Sequence, residues 1–180
     1  PTSDIAALKE LGVELIVGDA MVLDDVRATY WAHGPADLVV STLSGGTGPK
    51  NRVDDIANIN VIDGAKEASV GRFIFITSIG CGEMRPTMSE RMLEIIGDAL
   101  LAKTIAEDHL KKSALNWTII RPGGLVSEAA TEKAALYLSS DIHGMIHRED
   151  VALLTIAAAK DPATIRKVYA ALDQAQVRSA

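Results

Sequence analysis

Residues 72–80 read RFIFITSIG and decide the fold. The predicted strand Arg72–Ser78 contains the unbroken apolar run Phe73 to Ile76, which is typical of a strand buried on both faces of a sheet. The same design recurs in Asp37–Leu43 and Trp117–Ile120, and a turn containing glycine follows each of the three runs. Such strands, separated by helical patterns, predict an α/β fold: a doubly wound parallel sheet with helices on both faces.

Helical periodicity fills the intervals between the strands. Apolar residues at spacings of three and four run from about Asn51 to Ser69. The capping box Thr87-x-x-Glu90 opens a longer helix to about Ser113, in which Gly97-Asp98 predicts an interruption. The other predicted elements are a helix ending before Gly12, a strand at Val13–Val17, a helix at Asp24–Trp31, a helix at Glu149–Lys160 and a closing strand at Lys167–Leu172.

The composition limits the classes of function. The chain has 180 residues, 18 basic against 24 acidic side chains, a net charge of −6 and 48% hydrophobic residues. This size and hydrophobicity predict one folded domain over residues 1–180. The scattered basic residues argue against nucleic acid as a partner, and no apolar run approaches the ~20 residues of a membrane span. A single cysteine, Cys81, fits a reducing compartment, so we expect a cytoplasmic protein.

Ligands of doubly wound sheets bind beyond the carboxyl ends of the strands. The Asp19 carboxylate, after the first predicted strand, either accepts a hydrogen bond from an adenine amino group or belongs to a turn and caps the next helix. The loop of residues 44–50, SGGTGPK, is either a flexible turn or a loop whose N–H groups bind a phosphate or carboxylate. Its spacing is not that of a P-loop, because Lys50 stands where the second glycine belongs.

Lys103 lies on an apolar face of the long predicted helix. Ala99, Lys103, Ala106 and Leu110 follow one another at spacings of four, three and four, which places the ammonium among inward-facing residues. Either this lysine binds a ligand or its charged end reaches solvent at the edge of the stripe.

Three further features predict no chemistry. His143 and His147, with Asp141 and Glu149 nearby, have a spacing seen in metal sites, but Gly144 interrupts the stretch and we expect no metal. Cys81 has no neighbouring His or Lys, which indicates a small buried residue rather than a reactive thiol. A GxSxG elbow is absent from the sequence, so a hydrolase of that type has no support.

The order of these pieces resembles the atypical short-chain dehydrogenase/reductase superfamily, whose fold is Rossmann-like and binds NAD(P). Within it, the chain is similar to the NmrA-like and biliverdin reductase B-like members. The resemblance covers nearly the whole chain. It rests on Gly18-Asp19-Ala20, Ser41-Thr42-Leu43-Ser44-Gly45, Ile76-Thr77-Ser78-Ile79-Gly80, Lys103-Thr104-Ile105-Ala106-Glu107, residues 117–125 (WTIIRPGGL) and residues 146–152 (IHREDVA), in that order.

The resemblance implies a role for each matching position. Asp19 and Ala20 would lie near the adenine, and Leu43, Ser44 and Gly45 along the ribose and pyrophosphate. Thr77 would be a further cofactor-binding residue. Ser78 and Lys103 would be catalytic as well as cofactor-binding, Ser78 near the nicotinamide and Lys103 on the hydroxyls of its ribose. Pro122 and Gly123 would face the carboxamide.

The chain departs from the family pattern in two places. The tyrosine of the family's YxxxK motif is replaced by Ala99, which removes the usual proton donor. The sequence also starts after the strand, GxxGxxG turn, helix and second strand that open the family's fold, so we predict an N-terminally incomplete domain that lacks its first two strands. Val13–Val17 and Asp37–Leu43 would then lie in one sheet about 14 Å apart. A natural truncation with a repacked, smaller sheet is the alternative.

These observations predict an NAD(P)H-dependent oxidoreductase with NADP, or NAD, as cofactor. Its substrate would be a small conjugated acceptor such as a flavin, quinone or tetrapyrrole. The alternative is an NmrA-like regulatory protein that senses the dinucleotide without turnover and reports it to a protein partner. A sugar-nucleotide epimerase is a third interpretation, weakened by Ala99 and by the short C-terminal region. A homodimer is compatible with the sequence, as is a complex with a protein partner.

Overall fold

The computed structural model describes residues 5–34, 36–45 and 53–179. Its helices are α1 (Ile5–Glu10), α2 (Leu23–His33), α3 (Asn58–Glu67), α4 (Glu90–Lys112) and α5 (Arg148–Lys160). A π-helical turn at Val53–Ala57 precedes α3, and short 3₁₀ helices span Gly82–Thr87, Pro162–Thr164 and Gln174–Gln176. The strands are β1 (Leu38–Ser41), β2 (Arg72–Ile76), β3 (Trp117–Pro122), β4 (Gly124–Val126), β5 (Ala134–Tyr137), β6 (Ile142–His143), β7 (Met145–His147), β8 (Lys167–Asp173) and β9 (Arg178–Ser179).

The main sheet has the order β1-β2-β3-β8-β5. Its first four strands are parallel, and β5 joins β8 in the antiparallel sense. Two small two-stranded sheets, β4-β7 and β6-β9, complete the strand pairing among the described residues. The predicted α/β fold with a parallel sheet is therefore confirmed, while the antiparallel strand and the small sheets were not predicted.

Both faces of the main sheet are covered, which explains why its central strands are mostly apolar and why polar residues in them, such as Arg72 and Thr118, are buried. Phe73 and Phe75 of β2 point to one face, where they pack in a cluster with Leu110 of α4. Ile74 points to the other face and packs in a cluster with Ala158 of α5. The same strand thus contributes alternate residues to two cores, as its sequence predicts.

Val13–Val17 does not form the predicted strand. The segment has no regular secondary structure and its side chains are exposed, Val17 by 95%. The expectation that it shares a sheet with β1 is wrong, because a strand forms only beside another strand that exchanges backbone hydrogen bonds with it. In the described ranges β1 pairs with β2 alone, so direct pairing between the two segments is not found either.

Two helix starts also differ from the prediction. Ser89, rather than Thr87, caps α4, and its hydroxyl accepts from the N–H of Met92 at 3.4 Å. Thr87 instead donates to the carbonyl of Met84 within a 3₁₀ helix. The predicted interruption of α4 is absent, because the helix continues through Gly97 and Asp98. The helix predicted from Asn51 is described from Val53 onwards and starts there as the π-helical turn. Residues 46–50 of the glycine loop lie outside the described residues, as do residues 51 and 52.

None of the helices among the described residues is both long and apolar enough to cross a membrane.

Two helix-interior glycines provide a test of the packing between α2 and α3. A Cβ on Gly64 of α3 would lie 2.8 Å from the ring of Tyr30 and 2.9 Å from Val26, both on α2, whereas a Cβ on Gly97 of α4 would be 3.4 Å from its nearest neighbour. Alanine raises helix propensity at both positions, so the difference in unfolding free energy between the two variants reports on packing alone. We expect Gly64→Ala to be about 1–3 kcal/mol less stable than Gly97→Ala in urea unfolding. Equal stability of the two variants would show that α2 does not rest on Gly64.

Candidate functional site

A cavity of about 410 Å³ lies between residues 16–20 and the free edge of β1. Asp19, Ala20 and Leu43, three residues predicted to contact the cofactor, line it together. The other walls are mostly apolar and come from α2, α3 and β1, namely Val26, Tyr30, Val39, Val40 and Val61. The cavity therefore starts at the carboxyl end of β1, where the fold places ligands, and continues along the strand edge.

The Asp19 side chain stabilises its own turn. Oδ1 of Asp19 accepts a hydrogen bond from the N–H of Met21 at 2.9 Å. The backbone N–H of Asp19 donates to Oδ2 of Asp25 at 2.9 Å. The side chain nevertheless remains exposed at the cavity. Asp19 thus stabilises a turn but does not cap the next helix as expected, because α2 begins after Val22 without a side-chain cap. Its carboxylate stays accessible to a ligand.

Lys103 is buried on α4, with only 8% of its surface exposed. Its Nζ lies 2.6 Å from Oδ1 of Asp54 in the π-helical turn, and the two side chains are 10% and 2% exposed. The prediction of an inward-facing lysine is confirmed, and the solvent-reaching alternative is wrong. The paired ammonium needs a countercharge at this depth, because an unpaired buried charge is strongly disfavoured.

Asn58 ties the π-helical turn to the end of β1. Its amide group donates to the carbonyls of Leu43 and Asp54, at 3.3 and 3.2 Å. The hydroxyl of Ser41 donates to its Oδ1 at 2.7 Å. The predicted cofactor residue Leu43 and the partner of Lys103 are therefore held by one buried side chain.

Thr77, predicted to bind the cofactor, has its hydroxyl committed to the protein. The hydroxyl is buried and donates to Glu107 Oε1 at 2.7 Å. Glu107 also receives two hydrogen bonds from Arg121, at 3.0 and 2.6 Å. Arg121 binds Glu83 through its two terminal nitrogens, at 2.7 and 3.1 Å. This network, the Arg121 cluster (Thr77, Glu83, Glu107, Arg121), connects β3 and α4 with the segment that follows β2.

The turn after β2 is shaped by the Arg121 cluster. Ser78 is half-buried, and its carbonyl accepts from the N–H of Cys81 at 3.3 Å. Gly82 has a φ of +54°, and a Cβ there would lie 2.6 Å from a guanidinium nitrogen of Arg121. Cys81 is fully buried, and burial raises the pKa of its thiol to about 12. The expectation of a buried, unreactive cysteine is confirmed.

Pro122 and Gly123 lie where β3 passes into the small sheet. Both are buried, and the carbonyl of Pro122 accepts from the N–H of Ile79 at 3.0 Å. A Cβ on Gly123 would lie 2.3 Å from the carbonyl oxygen of Gly144. Close approach of two backbones thus requires the glycine, so any contact of residue 123 with a ligand is made by its backbone.

The structure brings His147, but not His143, next to two carboxylates. Ligand atoms of His147, Asp150 and Asp173 lie within 4.8 Å of one another. Asp150 accepts from the N–H groups of Thr131 and Glu132, both at 3.0 Å, and Thr131 donates its hydroxyl to Asp173. The hydrogen bond from Thr131 holds the pKa of Asp173 below its usual value. These bonds tie the start of α5 to the loop before β5.

The comparisons with known proteins agree with the observed fold. The family model described as NAD(P)H-binding matches residues 2–162. The chain belongs to this NAD(P)H-binding family. The fold is that of NAD(P)H-binding oxidoreductases, and a nicotinamide dinucleotide is the cofactor type that the family supports.

Three similar proteins illustrate the range of the family. The solved structure of ChuY, an anaerobilin reductase of Escherichia coli O157:H7, is 38% identical with a TM-score of 0.84, covering 94% of this chain and 79% of that one. Protein TIC 62 of Arabidopsis thaliana is 35% identical over 64% of this chain and 18% of its own length. Sanguinarine reductase of Eschscholzia californica is 32% identical over 59% of this chain and 40% of its own length.

The matched regions are short relative to the first curated relatives, of which the chain spans only 18 to 40%. TIC 62 is named as chloroplastic, so the cytoplasmic location expected for this protein stays a prediction.

Sequence reasoning missed Asp54, Asn58 and the Arg121 cluster. A signal for part of the cluster was present, since Lys103 and Glu107 lie four apart on one helix stripe and Arg121 ends an apolar strand. Charged residues at such positions indicate buried pairs. No sequence spacing links Asp54 to Lys103, because the contact joins elements 49 positions apart.

We expect the Arg121 cluster to contribute much more stability than an exposed ion pair of similar geometry. Glu107→Gln removes the buried charge that balances Arg121 and should lower the free energy of unfolding by about 3–5 kcal/mol. The control is Glu67→Gln, which breaks the bidentate contact of Glu67 with Arg27 between α2 and α3, where both side chains are about one-third exposed. Urea unfolding should show a far smaller loss for the control. Comparable losses in the two variants would mean that the Arg121 cluster stabilises the fold no more than the exposed pair of Arg27 and Glu67 does.

Proposed function

We propose that this chain is the NAD(P)H-binding part of a reductase that transfers hydride to a conjugated acceptor such as a flavin, quinone or tetrapyrrole. The observation that carries the proposal is the combination of the buried Lys103 with Ala99 one helical turn earlier on the same face of α4. Lys103 is the residue to which the family resemblance gives the cofactor-binding role. The phenol that would protonate an alkoxide is absent.

The described residues fit a nicotinamide dinucleotide. The cavity offers apolar walls and an exposed carboxylate, Asp19, which suit an adenine ring and its amino group. Asp19, Ala20 and Leu43 would hold the adenosine end, with Ser44 and Gly45 along the ribose and pyrophosphate. Thr77, Ser78, Lys103, Pro122 and Gly123 would hold the nicotinamide end. NADPH is the cofactor we favour, with NADH as the alternative.

The residues at the nicotinamide end favour acceptors that need little help with protonation. When bound, NAD(P)H supplies a hydride from its nicotinamide ring. Ala99 has no proton to give, and the Ser78 hydroxyl, although a hydrogen-bond donor, is a weak acid. A missing general acid costs about 10²–10⁴-fold in the reduction of an aldehyde or ketone. A conjugated acceptor delocalises the arriving charge and takes its proton from water, so positioning is the main task left to the protein.

The names of two relatives support the same substrate class. An anaerobilin reductase and a sanguinarine reductase are both named for the reduction of conjugated molecules. The anaerobilin reductase is also the more similar of the two in sequence, at 38% identity.

The choice of acceptor tests the proposal directly. The intact protein should oxidise NADPH with FMN or a quinone at least 100-fold faster than with simple aldehydes or ketones, following the roughly 10²–10⁴-fold value of a general acid. The measurement is the loss of nicotinamide absorbance with each acceptor at equal concentration. Efficient ketone reduction would show that another residue replaces the tyrosine. Tight NADPH binding without turnover on any conjugated acceptor would favour the sensing protein instead.

Replacing the lysine tests the cofactor site separately. Lys103→Met keeps the length of the side chain but removes its donors, and should weaken NADPH binding by about 1–3 kcal/mol, the range for a charge-assisted hydrogen bond. Calorimetric titration of the intact protein measures this change. If the affinity stays at the wild-type value, Lys103 does not bind the ribose.

A further inference from the structure

We propose that Asp54 is a positioning residue for Lys103: its buried carboxylate holds the ammonium where it binds the hydroxyls of the nicotinamide ribose. The inference rests on the proposed function, since it requires Lys103 to contact the cofactor. It assigns a role to the segment that follows the glycine loop. The sequence motifs give that segment no role.

The contact between the two residues is short and shielded from water. Nζ of Lys103 and Oδ1 of Asp54 are 2.6 Å apart, and the carboxylate side chain is 2% exposed. Opposite charges this close attract each other strongly, and low exposure reduces the screening of that attraction. Asp54 therefore determines where the ammonium lies, while also balancing its charge.

The carboxylate is itself held in place. The carbonyl of Asp54 accepts from the amide of Asn58 at 3.2 Å, and Asn58 is 1% exposed. Asp54 lies in the π-helical turn, a rare conformation that is frequent at functional sites. A ligand-binding group needs such support, because a site loosened by about 1 Å loses much of its function.

The chemistry of the ammonium leaves room for a ligand. A lysine has three N–H donors and no acceptor. The single close contact with Oδ1 of Asp54 uses at most one of these donors, which leaves two for the two hydroxyls of a ribose. Without its partner the four-carbon side chain would regain rotamer freedom, which has to be lost again when the cofactor binds.

A comparison of two ligands separates positioning from a general structural role. NADPH contains the nicotinamide ribose, whereas 2′,5′-ADP contains only the adenine half. Asp54→Asn, which keeps the size of the side chain and removes its charge, should weaken NADPH binding about 5- to 100-fold, and no more than Lys103→Met does. The affinity for 2′,5′-ADP should stay within twofold of the wild type. Both ligands are titrated into the intact protein by calorimetry.

A matched control uses another acidic partner of α4. Asp63 of α3 contacts His109 of α4 at 2.8 Å, away from Lys103. Asp63→Asn should leave the affinities for both ligands unchanged. A second variant, Asp54→Glu, keeps the charge but displaces the ammonium by one methylene. It retains the ion pair on which folding depends and should still weaken NADPH selectively.

A double-variant cycle completes the test. In the Lys103→Met background, Asp54→Asn should cause no further loss of NADPH affinity, because the group that it positions is gone. Equal weakening of NADPH and 2′,5′-ADP would overturn the proposal by showing a general structural effect. A second result would also overturn the proposal. In it, Asp54→Asn and Asp54→Glu bind NADPH with wild-type affinity while Lys103→Met binds NADPH weakly. If Lys103→Met itself binds NADPH normally, the proposed cofactor role of Lys103 fails first, and the positioning role fails with it.

Discussion

A guanidinium shielded from water is the constraint on which the centre of this fold depends. Arg121 is 1% exposed, so its charge must be balanced by the carboxylates of Glu107 and Glu83. Those carboxylates come from α4 and from the segment after β2, and Arg121 itself comes from β3. One charge balance therefore sets the relative positions of three elements. Ser78 lies in the turn that these contacts shape, and Lys103 lies one turn before Glu107 on α4.

The main sheet could be predicted because its information is local. In β2, the four consecutive apolar residues Phe73 to Ile76 specify a strand covered on both faces, and no distant partner is needed to recognise it. Val13–Val17 has the same kind of pattern but not the same outcome, because a strand also requires a neighbour and none of the described strands lies beside it. The start of α4 was missed for a smaller reason: Thr87 and Ser89 are both good capping residues, and backbone conformation decides between them.

In the candidate site, too, the features set by local sequence could be predicted, and those set by distant contacts could not. The position of Lys103 followed from helix periodicity, and its burial confirmed the stripe. Its partner Asp54 could not be found from sequence, because the pairing depends on how a π-helical turn packs against α4. The roles carried over from the family resemblance stay predictions, but the structure shows which atoms remain available: the hydroxyl of Thr77 is used within the protein, and the side chain of Asp19 is exposed.

The junction of the two sheets has a mechanical consequence. The N–H of Gly123 donates to Ala171 in the main sheet, and the next N–H along the chain, that of Gly124, donates to Gly144 beside the small sheet. These two hydrogen bonds flank the φ and ψ angles of Gly123, the rotatable bonds between the two N–H groups, so a hinge motion here would have to break at least one of them. For the proposed reductase, the surface beside Gly123 would then be preformed, and any adaptation to acceptors of different size would have to come from other segments.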